Sequence, residues 1–273
     1  MTPRAVGWLL AALMLLAAPL AAQDGAPIVI GESYGLPSAE LGAQRTINVW
    51  TPPGYAESGR RYPTVYLIDG GISQDFHHIT GLAQLGAISW LTQDLIVVGV
   101  ETVDRRRELA FPIERDAELG SEYPTAGESA AFRRFLVDEV KPFVESRYRT
   151  SGEDALLGES LAGLFIVETL LREPDAFDTY VAMDPSLWWD DGRLSEDAPA
   201  LLAERDGAPL RLWLSVGSET LGLPGPTERL LAALRARPEI ELHYEPRPHL
   251  GHATIYHPTA WEALQALYPR PEE

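Results

Sequence analysis

Ser160 stands in the stretch Gly158-Glu159-Ser160-Leu161-Ala162-Gly163, with a short apolar run, Ala155 to Leu157, before it and an apolar helical pattern, Leu161 to Leu171, after it. Strand, sharp turn carrying the serine, then helix is the layout of a nucleophile elbow. Such a turn holds the serine backbone in a strained conformation that only small neighbours tolerate. Gly158 and Ala162 supply that room on either side. The chemistry this permits is attack by a hydroxyl, which needs a base to take its proton and a carboxylate to hold the base.

In an elbow-bearing chain the serine comes first, then the acid, then the histidine. Of the six histidines, His77 and His78 precede Ser160 and suit a pocket wall beside the turn Asp69-Gly70-Gly71. His243 falls within the last strand pattern, Glu241 to Glu245, and His257 directly precedes Pro258. His249 and His252 remain, and His252, just after Gly251, is the preferred base. The expected acid is Glu219, two residues past the run Leu212 to Gly217, with no aspartate between Asp206 and His252 to compete. The plain alternative is a surface glutamate and a serine–histidine dyad. The expected oxyanion donors are two backbone N–H groups: Leu161 at a helix N-terminus, where the dipole favours negative charge, and Gly71 in the turn after a central strand.

The elements that must position these groups alternate between strands and helices. Ala26 to Ser33, Arg45 to Trp50, Thr64 to Ile68, Leu95 to Val100, Ala155 to Leu157, Thr179 to Met183, Leu212 to Val216 and Glu241 to Glu245 read as strands. Helical patterns fall at Ile79 to Leu91, from Glu128 onward, Leu161 to Leu171, Thr227 to Arg237 and Pro258 to Leu267, with Pro142 a point of kinking. The alternation predicts an α/β fold, a mostly parallel sheet with helices on both faces, and reactive groups gathered at the carboxyl ends of the strands. Residues 101–128 lack periodicity, and a structureless stretch of that length in a compact domain points to a loop edging a pocket. Arg107, in its charged run, is the candidate for holding an anionic substrate group; the plainer reading is a solvated run paired with neighbouring acids.

Residues 1–22 have the layout of a secretory signal: Arg4, an apolar run from Ala5 to Leu20, then Ala21 and Ala22. The expectation is therefore export, to a periplasm or beyond, of one domain over 23–273, with no membrane association after cleavage. The 273 residues contain no cysteine, which removes disulfides, a thiol nucleophile and cysteine-held metal. A net charge of −18 argues against nucleic acid or anionic membrane as partners. No cofactor and no metal are expected.

Four segments carry a family resemblance: Tyr66-Leu67-Ile68-Asp69-Gly70, the elbow, Asp184-Pro185-Ser186-Leu187-Trp188-Trp189, and His252-Ala253-Thr254-Ile255-Tyr256. Together they resemble the esterase-D-like α/β-hydrolases, which include siderophore (enterobactin-type) esterases, feruloyl esterases, S-formylglutathione hydrolase and mycolyltransferases of antigen 85 type. The resemblance implies the α/β-hydrolase fold, Ser160 as nucleophile, His252 as base, and Leu161 and Gly71 as oxyanion donors. It also implies Trp188 and Trp189 at the border of an acyl or aryl pocket, one exposed and one buried. Ala162 departs from the usual glycine, and Glu159 stands where a histidine is frequent. The function expected is a serine carboxylic-ester hydrolase working through an acyl-enzyme on a small-molecule ester. An acyltransferase, or a non-catalytic binding protein on the same scaffold, is the alternative.

Overall fold

A computed structural model of the chain describes residues 25–203, 207–223 and 225–271; the expected leader, residues 1–22, lies outside them. Residues 25–30 are exposed and form no regular structure, so of the expected first strand, Ala26 to Ser33, only Glu32 and Ser33 enter the sheet. That strand, β1, is Glu32–Ser38, fixed by antiparallel pairing with β2, Ala43–Trp50. Then follow β3 (Tyr62–Ile68), α1 (Phe76–Ile88), β4 (Ile96–Val100) and β5 (Thr150–Glu159). After these come α2 (Leu161–Arg172), β6 (Thr179–Met183), α3 (Trp189–Ala203), β7 (Leu210–Gly217), α4 (Pro226–Arg235), β8 (Ile240–Arg247) and α5 (His252–Leu267). No helix among the described residues is long and apolar enough to cross a membrane.

The eight strands form one sheet in the order β1-β2-β4-β3-β5-β6-β7-β8. From β4 to β8 neighbouring strands run parallel, while β1 and β2 add an antiparallel edge. This is the mostly parallel, doubly covered sheet the alternation predicts.

Side chains alternate across a strand, so each buried strand feeds two cores. Tyr66, Ile68, Val98 and Leu156 face one core, which is closed by Phe132, Phe135, Phe165 and Leu194. Val65, Leu67, Val97 and Leu157 face the other, closed by Phe76, Ile79 and Leu82 of α1 and Ala260 and Leu264 of α5. Burying each Val or Leu contributes roughly 1.5–3 kcal/mol, which holds the central strands rigid and their carboxyl ends in register.

Pro142 leaves its mark without a sharp break. The helical run from Ser129 widens to a π-helix over Phe135–Val140, where the Lys141 N–H reaches Leu136 O, and returns to α over Lys141–Glu145. A proline cannot supply the N–H an α-turn would need there, and the wider turn absorbs the loss.

The stretch 101–128 is more ordered than its missing periodicity suggests. It holds two short helices, Arg105–Leu109 and Ala117–Glu122, whose first turns are capped by the side chains of Asp104 and Asp116.

Candidate active site

Ser160 closes β5 with φ 64° and ψ −118°, a conformation that costs a non-glycine residue energy and places its side chain above the sheet. Neighbouring backbone over-determines this turn. The Ser160 N–H donates to Met183 O at 2.9 Å, and the Ser160 carbonyl accepts from Leu164 N–H at 2.9 Å and Ser186 N–H at 3.0 Å. The small residues are fitted to one another. A methyl at Gly158 would come within 2.6 Å of the Ala162 methyl, so the elbow has space for one of the two. A methyl at Gly163 would meet Met183 O at 2.9 Å, so the glycine there lets α2 pack directly on the end of β6.

The Ser160 hydroxyl lies 3.0 Å from His252 Nε2. His252 is the first residue of α5, and its ring reaches back over the sheet edge, 48% exposed. The last helix thus starts six residues before the expected Pro258. His249 sits exposed in the turn before it.

The carboxylate that bonds the histidine ring is not the one the sequence suggests. His252 Nδ1 meets Asp184 Oδ2 at 2.6 Å, and the Asp184 side chain is completely buried. Asp184 directly follows β6, with φ 40°, and its Oδ1 accepts the Gly217 N–H at 2.8 Å. Glu219 lies nearby but touches a different part of the histidine: its Oε2 accepts the His252 backbone N–H at 2.9 Å and the Ser218 hydroxyl at 2.9 Å. The physical reason is strand order. β6 lies beside β5, the strand that leads into Ser160, whereas β7 lies one strand further out, so the residue leaving β6 reaches the ring first.

Electrostatics follow from this geometry. Burial alone would raise the Asp184 carboxyl, but the hydrogen bonds it accepts from His252, Thr220 and the Gly217 N–H outweigh burial and hold it below the usual carboxylate range. His252 is raised above its ordinary value, first by the bond to Asp184, against burial, and further by the carboxylates of Glu159, Asp184 and Glu219. Glu159 is the unforeseen member: its Oε1 lies 3.2 Å from His252 Nε2, and its side chain is 16% exposed. Burial pushes its carboxyl up to about 7, aided by Asp184 and Asp75 and opposed by His252 and Arg105.

The two expected oxyanion donors differ in state. Leu161 is the first residue of α2, a 12-residue helix, where backbone N–H groups have no intrahelical acceptor. The Gly71 N–H is engaged: it donates to Gln74 Oε1 at 2.9 Å, while Gln74 Nε2 donates to Thr102 O at 3.1 Å and Thr102 Oγ1 at 3.0 Å.

A cleft of about 250 Å³ opens at Ser160 and His252, with Ser186, Trp188, Thr220 and Leu223 in its wall. Of the tryptophan pair, Trp188 is 44% exposed in the cleft, and Trp189 is 1% exposed. Trp189 is therefore a core residue and not a cleft wall: its Nε1 donates to Phe111 O at 3.2 Å, and it stacks on Tyr123. His77 is exposed against the edge of Phe76, and Arg107 pairs with Glu128 at 2.7 Å; neither lines the cleft.

Behind Trp188 the backbone turns through three left-handed residues, Asp190, Asp191 and Gly192. The buried Asp190 Oδ1 accepts the N–H groups of Glu114 (3.1 Å), Arg115 (2.7 Å) and Asp116 (3.1 Å), and its Oδ2 pairs with Arg193 at 2.8 Å. That bond set ties the 101–128 stretch to the wall of the cleft.

Glu159, Asp184 and His252 bring ligand-type atoms within 4.8 Å of one another. They do not fit a metal centre, because Asp184 and Glu159 address opposite nitrogens of one ring, and an ion shared by all three would strip the ring from its buried carboxylate. The arrangement suits proton transfer along a serine–imidazole–carboxylate line.

Known proteins share this architecture. An IroE-like serine hydrolase from Shewanella oneidensis superposes with a TM-score of 0.78 at 26% identity, covering 87% of this chain and 80% of that one. In sequence, the ferri-bacillibactin esterase BesA of Bacillus subtilis is 29% identical over 185 residues, 61% of this chain and 62% of that protein. The siderophore enterobactin esterase of Emericella nidulans is 31% identical over 165 residues, 55% of this chain and 54% of that protein. The matched regions thus span less than two thirds of these relatives' lengths. The Esterase family's sequence profile matches residues 38–263, and with the α/β-hydrolase fold described above, the chain belongs to the esterase family.

Proposed function

We propose that the protein is an exported serine carboxylic-ester hydrolase, acting in the periplasm or outside the cell through an acyl-enzyme. The observation that carries this reading is the unbroken line Ser160 Oγ–His252 Nε2 at 3.0 Å and His252 Nδ1–Asp184 Oδ2 at 2.6 Å, set on a strained elbow. His252 takes the Ser160 proton as Oγ bonds to the ester carbonyl carbon. The oxyanion forms against the Leu161 N–H and, once Gln74 Oε1 yields it, the Gly71 N–H. The imidazolium, held by Asp184, then protonates the departing alkoxide. Water repeats the sequence on the acyl-enzyme, with His252 again as base, and frees the acid.

By their names, the Bacillus subtilis relative is an esterase of ferri-bacillibactin and the Emericella nidulans relative an esterase of the siderophore enterobactin. This cleft favours a small ester without negative charge. Its wall combines Trp188 and Leu223 with the carboxylates Asp184 and Glu219. Every arginine of the nearby run is engaged: Arg105 with Asp69, Arg106 over the Tyr123 ring and Arg107 with Glu128.

A fluorophosphonate probe and a panel of p-nitrophenyl esters test the reading. The expected result is labelling at Ser160 and turnover of acetate and butyrate esters, with both lost in Ser160→Ala while the thermal melt is kept. Turnover surviving in Ser160→Ala would refute it.

A further inference from the structure

The residue just before the nucleophile is not a bystander. The Glu159 side chain points into the site, with Oε1 3.2 Å from the same ring nitrogen, His252 Nε2, that faces Ser160 Oγ at 3.0 Å. With Nδ1–H given to Asp184, only the protonated imidazole carries an N–H at Nε2, and two acceptors here contend for it. We propose that Glu159 is a positioning residue for His252: its carboxylate competes with Ser160 for Nε2 and sets the pH at which the ring is free to serve as base. The inference rests on the ester-hydrolase reading for its consequence, though not for its chemistry.

Charged groups surround the pair on every side. From the end of β6, Asp184 binds Nδ1, and from beyond β7, Glu219 holds the His252 backbone N–H. Arg105, past β4, donates through Nη2 to the Glu159 carbonyl at 3.2 Å and pairs through Nε with Asp69 at 2.6 Å. Asp75, in the turn after β3, and Tyr256, one turn along α5, complete the ring of titratable groups acting on the cluster. Arg105 is the one cation among them. Its guanidinium bonds Asp69 and a backbone carbonyl and acts on the Glu159 carboxylate only through space, so His252 is the cation in contact with that carboxylate.

The two protonation steps then interlock. When Glu159 ionises, the ring holds its proton as an imidazolium between two carboxylates, and in that state it cannot accept the Ser160 proton. Activity therefore rises only as pH climbs past the point where the imidazolium gives up its proton against the pull of Glu159. The same pull stabilises the imidazolium that forms when Ser160 attacks, so Glu159 raises the strength of the base while narrowing the pH range in which it is free.

The test is an NMR titration of the His252 ring in the full chain, paired with pH profiles of kcat/KM on p-nitrophenyl acetate. Glu159→Gln keeps the side chain's size and removes its charge. The expected result is a His252 titration lowered by about one pH unit or more, and an acid limb of kcat/KM that moves down with it. An unmoved or raised His252 titration overturns the inference. Should Glu159→Gln fail to fold, Glu159→Asp, which withdraws the carboxylate by one methylene, decides by the same criterion. The titration needs no substrate. A chain that turns over no ester yet shows the shift would overturn the ester-hydrolase reading alone; turnover lost in Ser160→Ala with no shift in the glutamate variants would overturn this inference alone.

Discussion

Asp184→Asn separates the acid the structure puts beside the ring from the one the sequence suggested. Asp184 Oδ1 accepts the Gly217 N–H at 2.8 Å, and an asparagine satisfies that donor only by keeping its carbonyl oxygen there. Its amide N–H groups then face His252 Nδ1, which must become an acceptor. The ring proton moves to Nε2, the nitrogen that has to accept from Ser160, and the base is lost. The equivalent tautomer fault in a serine–histidine–aspartate triad lowers kcat by about 10⁴, equal to about 5 kcal/mol of barrier, and the complete burial of Asp184 leaves no water to compensate. Glu219→Gln keeps an oxygen able to accept the His252 backbone N–H and sits in solvent, so its loss in kcat stays within about tenfold. Steady-state kinetics on p-nitrophenyl butyrate, with thermal melts as a control on folding, measure both. A Glu219→Gln loss larger than that of Asp184→Asn, or an Asp184→Asn loss under about tenfold, would refute the assignment.

Three further outcomes are expected. Gly158→Ala forces a methyl against that of Ala162, 2.6 Å away, and should destabilise the fold by about 1–3 kcal/mol in urea denaturation, with Gly158→Ala/Ala162→Gly recovering most of it. Gln74→Ala frees the Gly71 N–H and should raise kcat/KM for small esters; an unchanged value would remove Gly71 from the oxyanion site. Glu159, with its carboxyl raised to about 7, binds a proton in the folded chain that the unfolded chain releases near its ordinary value of 4.5, so its contribution to stability falls as pH rises between those values. The melting temperature of Glu159→Gln should gain on that of the unaltered chain between pH 4.5 and 7; a difference independent of pH would contradict the raised value.

The sequence reveals what periodicity and turn chemistry encode. Continuous apolar runs such as Thr64 to Ile68 and Leu95 to Val100 are buried on both faces and fall where the parallel strands lie. The elbow was legible because its strain demands small neighbours at fixed offsets. The strand expected over Ala26 to Ser33 begins too early because Pro-Ile-Val-Ile has strand composition, while pairing with β2 decides which residues enter the sheet. The helices of 101–128 are five and six residues long, too short for a period to show. Chain order admits any acid between Ser160 and His252, so it does not single out Asp184 as the ring's partner. Which strand end carries it depends on lateral order in the sheet, which no local pattern records. An aspartate immediately after an apolar run and before Pro185 was the available signal. Glu159 gave none, since the direction of a side chain beside a strained turn is set by the turn itself.

Seven residues, Asp184 to Asp190, carry the group that orients the histidine, the exposed Trp188 of the cleft wall, the buried Trp189 and the carboxylate that anchors the neighbouring stretch. Adding or deleting one residue among them would displace all of these together. On the ester-hydrolase reading, the length of this segment is therefore fixed, and substrate preference changes only through side chains within it or through the other cleft residues, Thr220 and Leu223. On that reading, such a chain can take a new ester without touching the Ser160–His252–Asp184 line, provided that the spacing of that one segment does not change.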